Sequence, residues 1–204
     1  MLKGTIIQIL NQTWPMLLIC IVIIVSLRVG YIVGNKVKIK LYKELITLCF
    51  ILYFMCLFYI VTFQDVSWSG SNFVPFREMF RYEFGSKPFV KNILGNVLLF
   101  MPYGFAIGYY TRTKKIRYSI LLGLILSLSI ETTQYLIGRV FDVDDIILNL
   151  IGTILGFMFC VAFIDIRDKL PDVLKKEWIY NLIIITLIVL IILYLLHIFG
   201  VIVW

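Results

Sequence analysis

Six apolar runs of about 20 residues, separated by short polar connections, leave this chain few folds to choose from. In hydrocarbon every backbone N–H and C=O must find its partner within the protein, and a helix does this inside one segment. The runs fall at roughly 13–34, 43–63, 92–111, 118–137, 146–164 and 179–203. They predict an all-α, polytopic membrane bundle of about six transmembrane helices, folded as a single membrane domain over 1–204. Composition agrees: the chain is 61% hydrophobic and 15% charged, against about 25% charged in soluble domains.

The net charge of +7 points to membrane head groups rather than nucleic acid, because the basic residues sit in short loops between apolar runs. Arg28, Lys36, Lys38, Lys40 and Lys43 follow the first run; Arg112, Lys114, Lys115 and Arg117 follow the third; Arg167, Lys169, Lys175 and Lys176 follow the fifth. The other side carries Lys3, Arg77, Arg81, Lys87, Lys91 and Arg139, so thirteen basic residues stand against six. The positive-inside bias therefore predicts both termini outside. Trp14, Trp68 and Trp204 at the outer boundary and Trp178 at the inner one fit an interfacial belt. The first run continues past Trp14 to about Val33 with no small-x-small site, which reads as an uncleaved first span. Cys20, Cys49, Cys56 and Cys160 all lie inside apolar runs without a Cys-x-x-Cys spacing, and so read as packing residues.

Against this background the stretch Glu131 to Asn149 stands out. It places Glu131, Gln134, Arg139, Asp142, Asp144, Asp145 and Asn149 between and inside two spans, where ionisable groups are costly and mark functional sites. Ser127, Glu131 and Gln134 with Tyr135 share one helical face. Asn92 and Asn96 are four apart at the start of the third span, and Asp145 and Asn149 repeat that spacing at the start of the fifth. Three helices thus bring amides and carboxylates to a similar depth near the outer surface. The alternative is interhelical glue, at about 0.6–2 kcal/mol per polar contact. Gly104 with Gly108, and Gly152 with Gly156, would let the third and fifth spans approach closely.

Asp142, Asp144 and Asp145 have two readings. Three carboxylates in four residues suit Mg²⁺ or Ca²⁺, although no cofactor is the main expectation. Alternatively Asp144 or Asp145 caps the fifth helix. In the long outer loop 64–91, Pro75 and Gly85 bracket an expected short interfacial helix. Phe76, Phe80 and Phe84 would line its lower face, with Asn72 just before it and Arg77 and Arg81 turned toward head groups. His197 stands alone on the sixth span and reads as a packing residue. There is no Ser/His/Asp arrangement or phosphate-cradling glycine loop.

Taken in order, four motifs go beyond composition. They are Asn72-x-x-Pro75-Phe76; Asn92-Ile-Leu-Gly95-Asn96 through Pro102-Tyr-Gly104; Glu131-Thr-Thr-Gln134; and Gly138-Arg139-x-Phe141-Asp142-x-Asp144-Asp145-x-x-x-Asn149-x-x-Gly152-x-x-x-Gly156. Together they resemble the VanZ-like family over about residues 43–164, leaving the first and last spans outside. The resemblance implies a bacterial, multi-pass cell-membrane protein of a family whose founding member is associated with teicoplanin resistance without altering the peptidoglycan precursor. It brings no catalytic residues with it.

The resulting expectation is a non-enzymatic envelope protein. It binds an amphiphile, either a lipoglycopeptide or a lipid-linked wall intermediate, through Asn72, Arg77, Arg81, Asn92, Asn96, Glu131, Gln134, Arg139, Asp142, Asp144, Asp145 and Asn149. Its partners are membrane lipids and that amphiphile, with no nucleic acid. A membrane-embedded, metal-dependent enzyme acting on a lipid phosphate, and a structural partner in a membrane assembly, are the two rival expectations.

Overall fold

The computed structural model describes residues 2–36, 38–63, 71–77 and 79–198. The chain is an all-α, multi-pass membrane protein: six helices are long and apolar enough to cross a bilayer. They are α1 (Leu2–Asn35), α2 (Leu41–Phe63), α3 (Lys87–Thr111), α4 (Ile116–Leu136), α5 (Val143–Lys169) and α6 (Glu177–Ile198). Among the described residues there is no β-strand, only an isolated bridge between Asn72 and Asp142. Trp14 and Trp178 are both more than half exposed. Trp68, Trp204 and the 64–70 part of the outer loop lie outside the described residues.

Residues 1–60 and 170–204 form one compact unit, and residues 61–169 another. In the first, the Arg28 guanidinium makes a two-pronged ion pair with Glu44, both arms at 2.8 Å. Lys40 pairs with Glu177, and the Tyr42 amide donates to the Asn181 side chain at 2.9 Å. These contacts fasten the start of α2 to the end of α1 and to the start of α6.

The second unit holds the polar segment. Here α3 packs tightly along α5, and α4 lies against α5 as well. The glycines make this possible. A methyl group on Gly104 would land on the Thr153 carbonyl, one on Gly152 on the Val97 carbonyl, and one on Gly156 on the Met101 carbonyl. Backbone therefore rests on backbone, which is how membrane helices gain dispersion energy when lipid offers no hydrophobic drive. Phe100 and Phe157, almost fully buried, fill the space beside this contact. Ser119, Ser127, Glu131, Asn149 and Thr153 share the same interior, so the core of this unit is unusually polar.

Two boundaries depart from expectation. α5 starts at Val143 rather than near 146, because Asp142 caps it and the next two aspartates find partners while helical. α3 starts at Lys87 rather than 92, through a turn capped by Ser86 and a π-helical turn Val90–Leu94 that precedes Gly95–Thr111. The interfacial helix expected between Pro75 and Gly85 is not formed. The described part of that segment holds a turn at 75–77, a 3₁₀ turn Met79–Arg81 and a turn at 84–85 in which Gly85 has φ +79°. The reason is local: Phe76 sits at φ +66°, outside the right-handed region, and its amide is drawn to a carboxylate on α5 instead.

Candidate functional site

The polar residues gather where α4 ends and α3 and α5 begin. Each is placed by a recognisable local device. α4 ends in a Schellman turn: the Gly138 amide donates to the Tyr135 carbonyl at 3.1 Å and the Arg139 amide to the Gln134 carbonyl at 2.8 Å. Gly138 takes the left-handed position at φ +83° that such a turn needs. The chain then crosses to α5 in a few residues, which keeps Glu131 and Asp142 close. The Asp142 amide donates to Glu131 Oε2 at 3.0 Å. Glu131 is 2% exposed, so its carboxylate sits in the protein interior and not in lipid.

Asp142 is the N-cap of α5. Its Oδ1 accepts from the Asp144 amide at 2.8 Å, satisfying one of the orphan donors of the first turn. The capping role expected of Asp144 or Asp145 thus belongs to the residue before the helix. The same Oδ1 accepts from Asn72 Nδ2 at 2.9 Å. Around this pair the Asn72 amide donates to the Phe141 carbonyl at 2.8 Å, and the Val143 amide donates to the Asn72 carbonyl at 3.1 Å.

Asp144 faces the loop. Its Oδ1 accepts from the Phe76 amide and its Oδ2 from the Met79 amide at 3.1 Å. Asp145 faces α3, where Asn96 Nδ2 donates to its Oδ1 at 2.5 Å. The three aspartates therefore point to three different partners. Among the described residues no three His, Cys, Asp or Glu side chains come together as a metal site would need. The carboxylates hold backbone and amide groups in place.

Asn149, one turn deeper on α5, donates to Ser127 Oγ at 3.0 Å, and Thr153 Oγ1 donates to the Asn149 carbonyl at 2.8 Å. Ser119 Oγ donates to the Thr153 carbonyl at 3.2 Å. Sequence reading found Ser127 by its spacing from Glu131 but missed Ser119 and Thr153. The available signal was their repeat, Thr153 four after Asn149 and Ser119 eight before Ser127. Serine and threonine are common in spans, so that signal carries little weight by itself.

The remaining expected residues spread out. Gln134 Nε2 at 3.3 Å and Arg139 Nη1 both donate to the Val61 carbonyl, filling an orphan acceptor in the last turn of α2. Tyr135, expected on the buried face of α4, is 58% exposed. Asn92 donates to Tyr82 OH at 2.9 Å and so braces the loop, while Asn96 serves Asp145. The π turn between these two asparagines breaks the simple four-residue repeat and separates their partners. Arg77 and Arg81 are exposed on the loop, as are Phe73, Phe76, Phe80 and Phe84.

The assembly is a clamp: Asp142 and Asp144 at the start of α5 hold the Asn72 side chain and the Phe76 and Met79 amides, and leave Phe73, Phe76 and Arg77 exposed. No curated protein and no solved structure matches the chain. The family model for VanZ/LLP1 matches residues 46–164, which contain this whole assembly. The chain therefore belongs to the VanZ/LLP1 family.

Proposed function

We propose that the chain is a cell-envelope membrane protein that binds an amphiphile with an anionic head on the loop segment 71–86. The amphiphile is a lipoglycopeptide or a lipid-linked wall intermediate. The single observation behind this reading is the clamped loop. Asp144 holds the Phe76 and Met79 amides while four phenyl rings and two guanidinium groups of the segment stay exposed. Ordering a free loop on binding is costly, and a loop fixed beforehand avoids that cost. Arg77 and Arg81 suit bidentate contact with phosphate or carboxylate, and the rings suit acyl chains at the interface.

Glu131, Asp142, Asp144, Asp145 and Asn96 then act as the scaffold, and the ligand meets Arg77, Arg81 and the phenylalanines. This favours a binding protein over an enzyme working on a lipid phosphate, because Asp142 Oδ1 and both oxygens of Asp144 already serve backbone amides and Asn72. With both termini outside, as the charge bias predicts, this end meets the external medium, where a teicoplanin-type glycopeptide acts. Capture there is the proposed contribution to resistance.

The test is glycopeptide susceptibility of bacterial cells expressing the wild type, Glu131→Gln, or the double variant Arg77→Ala with Arg81→Ala, at matched membrane abundance. Loss of protection in the double variant is expected. Full protection by it would sink the reading.

A further inference from the structure

The α4–α5 interface beneath the loop holds a second arrangement that loop binding does not use. α4 and α5 are joined by a short connection and run antiparallel, and the Asn149–Ser127 hydrogen bond fixes their register. One turn toward the polar end from each partner stand Asp145 on α5 and Glu131 on α4, so two carboxylates meet at one level on facing helices. Each lies within electrostatic reach of Asp142, and Glu131 and Asp144 both bear on Asp145. On the positive side Arg139, from the connection, bears on Glu131. α3 contributes the neutral Asn96 amide at this level. Like charges in a dry interior repel strongly, and a buried charge needs a partner. Among the described residues no cation bears on Asp145.

A separate observation points the same way. Asn149 is 3% exposed, and its Oδ1 has no hydrogen-bond partner among the described residues. A buried amide oxygen calls for a donor or a cation. It lies on the face of α5 that carries Asp145, next to Ser127.

We propose that a small monovalent cation, Na⁺, is held between α4 and α5 by Asn149 Oδ1, Ser127 Oγ and the carboxylates of Glu131 and Asp145. The donors are hard oxygens, as such an ion prefers. A divalent ion fits less well: Ca²⁺ takes six to eight oxygens, commonly several carboxylates, and here each facing carboxylate already accepts one N–H bond. The site supplies the missing positive charge and the missing partner of Asn149 together.

The experiment uses the full chain purified in detergent. Thermal unfolding is followed in NaCl, KCl and choline chloride at equal ionic strength, across a pH series. The midpoint rises saturably with Na⁺ alone, and the unfolding constant falls roughly a hundredfold at about a hundred times Kd. The response disappears in Asp145→Asn and in Asn149→Leu, and persists in Asp165→Asn at the far end of α5. A wild type whose midpoint ignores Na⁺ overturns the proposal, whether or not it rises as pH falls, as does an undiminished Na⁺ response in both site variants. Should those variants fail to fold, Ser127→Ala removes one oxygen and no charge. It should weaken the apparent ion affinity at least tenfold, and an unchanged affinity also overturns the proposal.

Discussion

Asn72 and Asp142 lie 70 residues apart in the chain, and the Asn72 side-chain amide donates to the same Asp142 oxygen that caps α5. One carboxylate oxygen thus starts a membrane helix and fixes the entry of a loop. The backbone bridge between the two residues adds a second tie. Asp142→Ala removes the cap and strands the Asn72 amide, at about 1–3 kcal/mol from the loss of a cap and an unsatisfied donor. Asp142→Asn keeps an acceptor oxygen and should lose less than half as much. Thermal unfolding of the two variants side by side checks this, and equal losses would rule out capping as the cause.

Asp144 should matter to the loop more than to the bundle. Its carboxylate accepts two loop amides, and hydrogen bonds to a charged group are worth about 1.5–3 kcal/mol each. It also holds Phe76 at φ +66°, a position that costs a bulky residue roughly 1–2 kcal/mol. Asp144→Ala should therefore free residues 76–81. Hydrogen exchange at those amides should rise well over tenfold, with the α3–α5 interior still protected. Phe76→Gly, which removes the strain and keeps the amide, should leave loop exchange as slow as in the wild type.

The glycines allow a graded test of packing. Gly104→Ala and Gly156→Ala drive a methyl group into backbone, which cannot move aside, so losses of about 1–3 kcal/mol or more are expected. At Gly123 the nearest atoms are side-chain carbons of Thr153 and Leu150, at 3.0 and 3.2 Å, and a smaller loss should follow. Gly30 and Gly34 have open space around them, so alanine there should be neutral or mildly stabilising. The ranking, read by thermal unfolding in one detergent, is the prediction; a loss at Gly30 as large as at Gly156 would contradict it.

These three cases also show what was legible beforehand. The spans could be read because a bilayer requires a set length of apolar helix, and the glycine pairs because a spacing of four lines up one helical face. The gathering of Glu131, Asp142, Asp145, Asn149 and Asn96 was legible for the same reason. Their individual partners were not. Whether Asp142, Asp144 or Asp145 caps α5 depends on where the chain leaves the Schellman turn, which hydropathy does not encode. The loop failed as a predicted helix because its phenylalanine spacing is a local signal, and a carboxylate 68 residues away in sequence captured the Phe76 amide. Long-range hydrogen bonds of this kind decide loop structure and leave no periodic trace.

Binding and structural roles separate most cleanly on the loop's outermost rings. Phe80 is 85% exposed and Phe84 93%. Changing such residues shifts stability by only about ±0.5 kcal/mol as a rule, since they bury almost nothing within the protein. Phe80→Ser with Phe84→Ser should therefore leave the unfolding midpoint within a degree or two of the wild type. If the loop is a binding surface, the same pair should still weaken retention of a lipoglycopeptide by the purified protein at least tenfold. That factor corresponds to about 1.4 kcal/mol and is modest for two aromatic anchors at an interface. Binding is best measured in neutral-lipid nanodiscs, so that attraction of Arg77 and Arg81 to bulk anionic lipid does not mask the change. A double variant that keeps both its stability and its affinity would show that the rings serve neither packing nor capture, and the loop would lose its claim to be the site.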